Sequence, residues 1–132
     1  MKKYVALVVI VLFGVFSGYY SSQNIMLTTH INEIVTVSGV MNIAAAYAGT
    51  LLALCACSGW LAMNFNFPSP VLRDKGVIII CLVITPILTY ITHVEIETNI
   101  KGYVECKDQR ELWSRYSSRT YAKTEALCLT LK

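Results

Sequence analysis

The sequence predicts a membrane protein, mainly α, with three transmembrane helices and a small disulfide-closed α+β module at the C-terminal, extracytoplasmic end. Three observations predict it. Three long apolar stretches without a charge precede His93. Beyond His93 the chain turns polar and holds a cysteine pair, Cys106 and Cys128. Finally, 55% hydrophobic and 14% charged residues make 132 residues too apolar for an ordinary water-soluble domain. The expected organisation is a transmembrane region over residues 1–93 and a module over 94–132.

The first span covers residues 4–20. Its seventeen uncharged residues would extend about 25 Å as a helix, short but sufficient with interfacial tyrosines at both ends. Lys2 and Lys3 precede it, which places its start on the cytoplasmic side. A secretory signal peptide shares this charged start and apolar middle, with Val15 and Ser17 near a cleavage site of small residues. Residues 21–39 are mixed. Leu27, Ile31, Ile34 and Val35 fall at helical spacing, but the β-branched run Ile34-Val35-Thr36-Val37 leaves helix and strand both open. The expectation is a segment lying along the outer interface.

The second span covers residues 40–63 and carries small residues at every fourth position: Ala45, Gly49, Ala53 and Cys57. Such a stripe lets another helix approach closely and gain dispersion contacts where lipid supplies no hydrophobic drive. Packing against the chain's own first or third span is the ordinary use; homo-oligomerisation or docking on a partner's helix is the other. Pro68, Ser69 and Pro70 then break regular structure, and Arg73 and Lys75 fit a cytoplasmic loop. The third span covers residues 76–92. Pro86 should kink it unless Thr85, Thr89 or a neighbouring helix satisfies the freed carbonyls.

Three spans from a cytoplasmic N-terminus put the tail outside. The tail's seven basic residues oppose that orientation. However, the rule weighs residues close to the span ends, and there Glu95 and Glu97 come before Lys101.

Within the tail, residues 94–106 alternate as a strand would, with Gly102 at a bulge or bend. Asp108 and Glu111 have the spacing of a helix-starting pair, with Leu112, Trp113 and Tyr116 on one face of the helix they would open. Leu127, Leu129 and Leu131 alternate again, so the simplest module is strand, short helix, strand. So few residues bury little apolar surface and need a staple. A Cys106–Cys128 bridge would contribute about 3 kcal/mol in the chain-entropy model. Cys55, Cys57 and Cys81 lie within spans and read as small hydrophobes, with Cys57 and Cys81 at similar depth.

Little chemistry is encoded. The net charge of +3, without a basic stripe, excludes a nucleic-acid binder. No span carries Asp, Glu, Lys or Arg, so a solitary pump or transporter has no relay residue. The tail serines have no neighbouring histidine in sequence, and no phosphate loop, metal-ligand set or cofactor motif is present. The expectation is a binder rather than an enzyme, using no cofactor and touching membrane lipid and a protein partner. Arg110, Trp113, Arg115, Tyr116 and Arg119 are the contact candidates, since aromatics and arginine dominate interface hot spots. Trp113 and Tyr116 are equally suited to the module's own core or to the membrane surface.

On Gly102-Tyr103-Val104-Glu105-Cys106, Tyr116-Ser117-Ser118-Arg119-Thr120-Tyr121-Ala122 and Leu127-Cys128, together with the three-span layout, the chain resembles short, uncharacterised enterobacterial multi-span membrane proteins. In layout it is also similar to small inner-membrane immunity proteins, with no functional residue carried over. Those likenesses imply a bacterial inner-membrane protein, N-terminus cytoplasmic and tail periplasmic, that binds and neutralises a membrane-acting or periplasmic toxin. An accessory subunit of a larger membrane complex is the alternative, and a holin-like pore former a third.

Overall fold

Three helical columns stand under a four-stranded antiparallel sheet. The structure is a computed structural model and describes residues 2–30, 32–65, 74–112 and 117–131. α1 is Lys2–Thr29 and α2 is Val40–Phe65. Both are long and apolar enough to cross a membrane, over Tyr4–Thr29 with mean hydropathy 1.9 and Val40–Asn64 with 1.8.

α1 therefore runs well past Tyr20, and residues 21–29 are helix rather than an interfacial segment. The polar residues that suggest an end to the span turn into the bundle or bond back to their own helix. Ser21 and Asn24 are buried, and Ser21 Oγ lies 3.0 Å from Thr50 Oγ1 on α2. Thr50 spends its own hydroxyl hydrogen on the Ala46 carbonyl, so Ser21 is the donor between them. Ser22, Thr28 and Thr29 donate back to carbonyls of their own helix.

The third column is helical from residue 74 to 99 in three consecutive pieces: α3 (Asp74–Ile79), a π-helical turn (Ile80–Ile84) and α4 (Thr85–Asn99). Pro86 explains the break. It sits in the first turn of α4, where a missing N–H costs least, and the widened turn before it relieves the ring's clash with the preceding turn. The Thr89 hydroxyl donates to the Thr85 carbonyl at 2.8 Å.

Residues 94–99 continue this helix, so the alternation of Val94-Glu95-Ile96-Glu97 does not make a strand. Its helical periodicity wins: Thr85, Thr89, Thr92 and Ile96 form one buried stripe, and His93 pairs with Glu97 one turn on. The helix caps at Ile100, and Gly102, at φ +99°, then takes the left-handed conformation that turns the chain into the sheet.

The sheet is built around β4 (Ser117–Ala122). On one side lies β1 (Ile34–Ser38); on the other, β2 (Val104–Glu105) and β3 (Glu111–Leu112) follow each other along the same edge. Residues 34–38, open between helix and strand in sequence, are thus a strand, whose Val35 and Val37 are buried. Between β2 and β3 a 3-10 turn covers Lys107–Gln109, and Glu111 and Leu112 pair with Ser118 and Ser117 instead of opening a helix. Residues 127–129 are not a strand either. They belong to α5 (Glu125–Leu129), which starts after an extended Thr124 with an acidic residue in its first turn, and Leu129 is exposed.

The core lies where helix ends meet sheet. Val35 and Val37 from β1 pack on Ile43 and Tyr47 of α2 and Ile96 of α4, with Leu27, Ile100 and Tyr121 around them. Gly39 makes this junction tight: a Cβ there would overlap the Ser117 side chain. Instead the Gly39 N–H and the Asn42 side-chain amide both donate to the Ser117 carbonyl, at 2.8 and 2.9 Å.

Candidate functional site

Two places bring chemically distinctive residues together: the module's charged face and the seam among the helices. On the module, the antiparallel register sets Glu105 of β2 across from Tyr121 of β4, two residues from Arg119. Arg110 follows the 3-10 turn. Glu105 Oε1 lies 3.8 Å from Arg110 Nε and 3.9 Å from Arg119 Nε. That oxygen is shut away from solvent and, at those distances, makes ion pairs rather than hydrogen bonds. One carboxylate thus holds two guanidinium groups that remain partly exposed.

Beneath Arg119 a cavity of about 330 Å³ opens between the sheet and α4. Val37, Val40 and Ile100 give it apolar wall, and Ser117, Arg119, His93 and Glu97 give it polar groups. His93 Nε2 is 3.4 Å from Glu97 Oε1, while His93 Nδ1 is buried without a hydrogen-bond partner. Ser117 and Ser118 line the same cavity, a proximity invisible in the sequence, where they stand far from any histidine. Neither serine is hydrogen-bonded to the imidazole, so the nucleophile–base contact of a hydrolytic site is not formed among the described residues. Those residues also contain no cluster of three or more His, Cys, Asp or Glu suited to a metal ion.

Cys106 and Cys128 are joined in a disulfide with their Cα atoms 5.4 Å apart, tying α5 to the end of β2. The Cys106 N–H donates to the Thr120 carbonyl of β4, so the staple is anchored in the sheet itself.

In the seam, α1 and α2 meet through small residues. A Cβ on Gly49 would come within 2.5 Å of Ser17 Oγ, and one on Gly14 within 2.9 Å of the Ala53 Cβ. Gly49 and Ala53 are buried there, and Cys57 lies beside Gly14 along the same contact. Ala45 is different. It is exposed and lines a groove of about 410 Å³ with Phe13, Phe16, Tyr20 and Asn24. The seam continues to α4 through the buried Tyr47 and Thr92 hydroxyls. Cys55 on α2 is a buried free thiol, and Cys57 and Cys81 are half-buried.

Of the contact candidates, Arg110 and Arg119 come together on Glu105. Trp113, Arg115 and Tyr116 lie outside the described residues. Sequence reading passed over Glu105, because its role depends on which strand β2 pairs with. It also passed over the polar stripe of Ser17, Ser21, Asn24, Thr85, Thr89 and Thr92, whose helical spacing was the available signal.

Residues 34–129, from the first residue of β1 to the last of α5, match the family described as Protein of unknown function (DUF1240). The chain belongs to this family. The DUF1240 match takes in every strand of the sheet, α2, α4, the disulfide and the two arginines on Glu105, and it leaves out α1. No curated protein and no solved structure shows significant similarity to the chain.

Proposed function

We propose that this protein is a non-enzymatic recognition protein of a bacterial inner membrane, held by three spans with the N-terminus cytoplasmic and the disulfide-closed module on the periplasmic side. In its most specific form the reading is an immunity protein: the module, through Arg110 and Arg119, binds a membrane-acting or periplasmic toxin and holds it inactive.

The observation that carries the membrane placement is the inverted polarity of the bundle. Val8, Leu12, Phe16, Leu54 and Ile87 point outward and are exposed, while Ser17, Ser21, Asn24, Thr89 and Thr92 are buried between the helices. In water that arrangement would leave the apolar area unburied; in lipid it keeps polar groups among partners. The third span fits the same picture, being helical from residue 74 to 99 with Leu82, Ile87 and Ile91 exposed. The disulfide supports the periplasmic side, since such bonds persist in oxidising compartments. A surface of two arginines on one carboxylate suits recognition of an acidic protein patch and needs no catalytic group.

The accessory-subunit reading is favoured by one feature, the groove of Phe13, Phe16, Asn24 and Ala45 along α1 and α2, which could seat a helix of a larger membrane complex.

The test is growth of a sensitive host that makes a candidate toxin encoded beside this protein and exports it to the periplasm, with membrane potential recorded. Rescue confined to that toxin, lost when Arg110 and Arg119 are both changed to Glu, supports immunity. No rescue, with carbonate-resistant membrane insertion verified, sinks it in favour of the accessory subunit.

A further inference from the structure

We infer that the cavity between β4 and α4 binds the headgroup of a phospholipid bearing phosphate and a primary amine, the phosphoethanolamine type. The inference goes beyond recognition of a protein partner and rests only on the membrane placement proposed above.

The cavity's position comes first. Val40, the first residue of α2 and of its apolar window, lines it, and so does Ser117, the first residue of β4. It therefore sits at the level where apolar helix gives way to polar sheet. In a bilayer that level is the headgroup layer, and the exposed Met41 and Val94, next in sequence to the lining residues Val40 and His93, are apolar surface for acyl chains.

Its chemistry comes second. About 330 Å³ is within the range of small-molecule sites. On the β4 side is a cation, Arg119; on the α4 side is a carboxylate, Glu97, most of whose side chain is exposed and whose companion is His93. Arg119 meets Glu105 only at 3.9 Å, and Glu105 is shared with Arg110. Arg119 therefore spends only its Nε on the ion pair with Glu105 and makes no side-chain hydrogen bond among the described residues, which leaves its terminal nitrogens for a ligand. A phosphodiester matches that planar fork, and the Ser117 hydroxyl adds a donor. A primary ammonium has three donors for Glu97. A choline headgroup has no N–H to give that carboxylate, and a glycerol headgroup has no cation, so one pocket holding both charges selects among lipids.

The test uses full-length protein purified in mild detergent, stripped of lipid, and titrated under native mass spectrometry. The probes are phosphatidylethanolamine, phosphatidylcholine and phosphatidylglycerol with identical acyl chains, and soluble glycerophosphoethanolamine. The expected result is one bound phosphatidylethanolamine per chain, preferred about tenfold over the other lipids, the scale of one charge-assisted hydrogen bond. Arg119→Gln should weaken all phospholipid binding by a similar factor of about ten. Glu97→Gln should keep binding but abolish the preference for ethanolamine over choline. Protease resistance of residues 99–131 equal to the parent's in each variant shows that the module still folds.

Equal affinity for the three lipids, or variants indistinguishable from the parent, overturns the inference. Binding of glycerophosphoethanolamine as tightly as of the lipid overturns the lipid source. Alkaline carbonate extraction separates the two readings: protein released from membranes refutes the membrane placement, whereas protein retained without lipid preference refutes this site alone.

Discussion

The hydroxyls of Tyr47 and Thr92 lie 2.8 Å apart in the buried contact between α2 and α4. Tyr47 belongs to the same core as Ile43 and Ile96, so this bond sits beside the packing that joins two helices to the sheet. Tyr47→Phe removes one of the two hydroxyls and leaves Thr92 able to turn to a carbonyl of its own helix, at a cost of about 0.5–1 kcal/mol. Thr92→Val strands a buried phenol and should cost more, about 1–3 kcal/mol. The double variant should lose less than the sum. Reversible unfolding in mild detergent, arranged as a double-mutant cycle, checks all three values.

Gly49 and Gly18 make a matched pair for testing the seam. The Cβ of Gly49→Ala would press on Ser17, whereas Gly18 has nothing within 4 Å of where its Cβ would stand. Gly49→Leu should force α1 from α2 and destabilise by about 1–3 kcal/mol, the usual penalty for overpacking. Gly18→Ala should be neutral or stabilising by up to about 1 kcal/mol, through helix propensity. Thermal unfolding of the detergent-solubilised protein distinguishes the two uses of the small-residue stripe. If Gly49→Leu left the melting temperature untouched and only lowered the oligomeric mass, the stripe would serve another chain instead of α1.

Uncharged runs such as residues 4–20 and 40–63 are legible in sequence because the bilayer imposes a length, and a cysteine pair in a small polar tail is legible because such a tail needs a staple. The errors share a cause: local pattern was overruled by a distant partner. Ser21 looks like the end of a span until Thr50 of α2 pairs with it. Ile34-Val35-Thr36-Val37 becomes a strand only because Thr120, far along the chain, supplies the opposite edge; their threonine hydroxyls meet at 3.1 Å. Leu127 and Leu129 alternate without forming a strand because the disulfide at Cys128 holds a helical turn against the sheet. For the candidate site, Arg110 and Arg119 stand out by type alone. Glu105 and Glu97 do not, since their relation to the arginines exists only once β2 and α4 are set beside β4.

Loss of the disulfide should loosen the module's C-terminal end while the sheet stays joined to the helices. The bridge spans a sequence separation of 22, and the chain-entropy model gives about 3 kcal/mol for it. Cys106→Ser with Cys128→Ser should leave α1 and α2 intact while α5 and the ends of β2 open. Limited proteolysis in the presence and absence of reductant is the readout: cleavage within residues 99–131 should rise in the double variant and in the reduced parent, with the fragment of residues 1–65 unaffected. Equal resistance in all samples would mean that sheet packing alone holds the module.

Glu105 should matter more than its partly exposed partners suggest. Its Oε1 is buried between Arg110 and Arg119, so Glu105→Gln leaves two guanidinium groups facing each other without the charge that holds them. The arginine side chains are 37% and 49% exposed, and solvent screening keeps the cost near about 1 kcal/mol at moderate salt. Because the remaining interaction is repulsion between partly exposed like charges, raising ionic strength should shrink the deficit. Adding Arg110→Gln to Glu105→Gln removes half of the repelling pair and should restore part of the loss. Melting temperatures of the parent, Glu105→Gln and the double variant, each at low and high salt, decide it: a deficit that is insensitive to both salt and Arg110 would mean that Glu105 acts through packing and not through its charge.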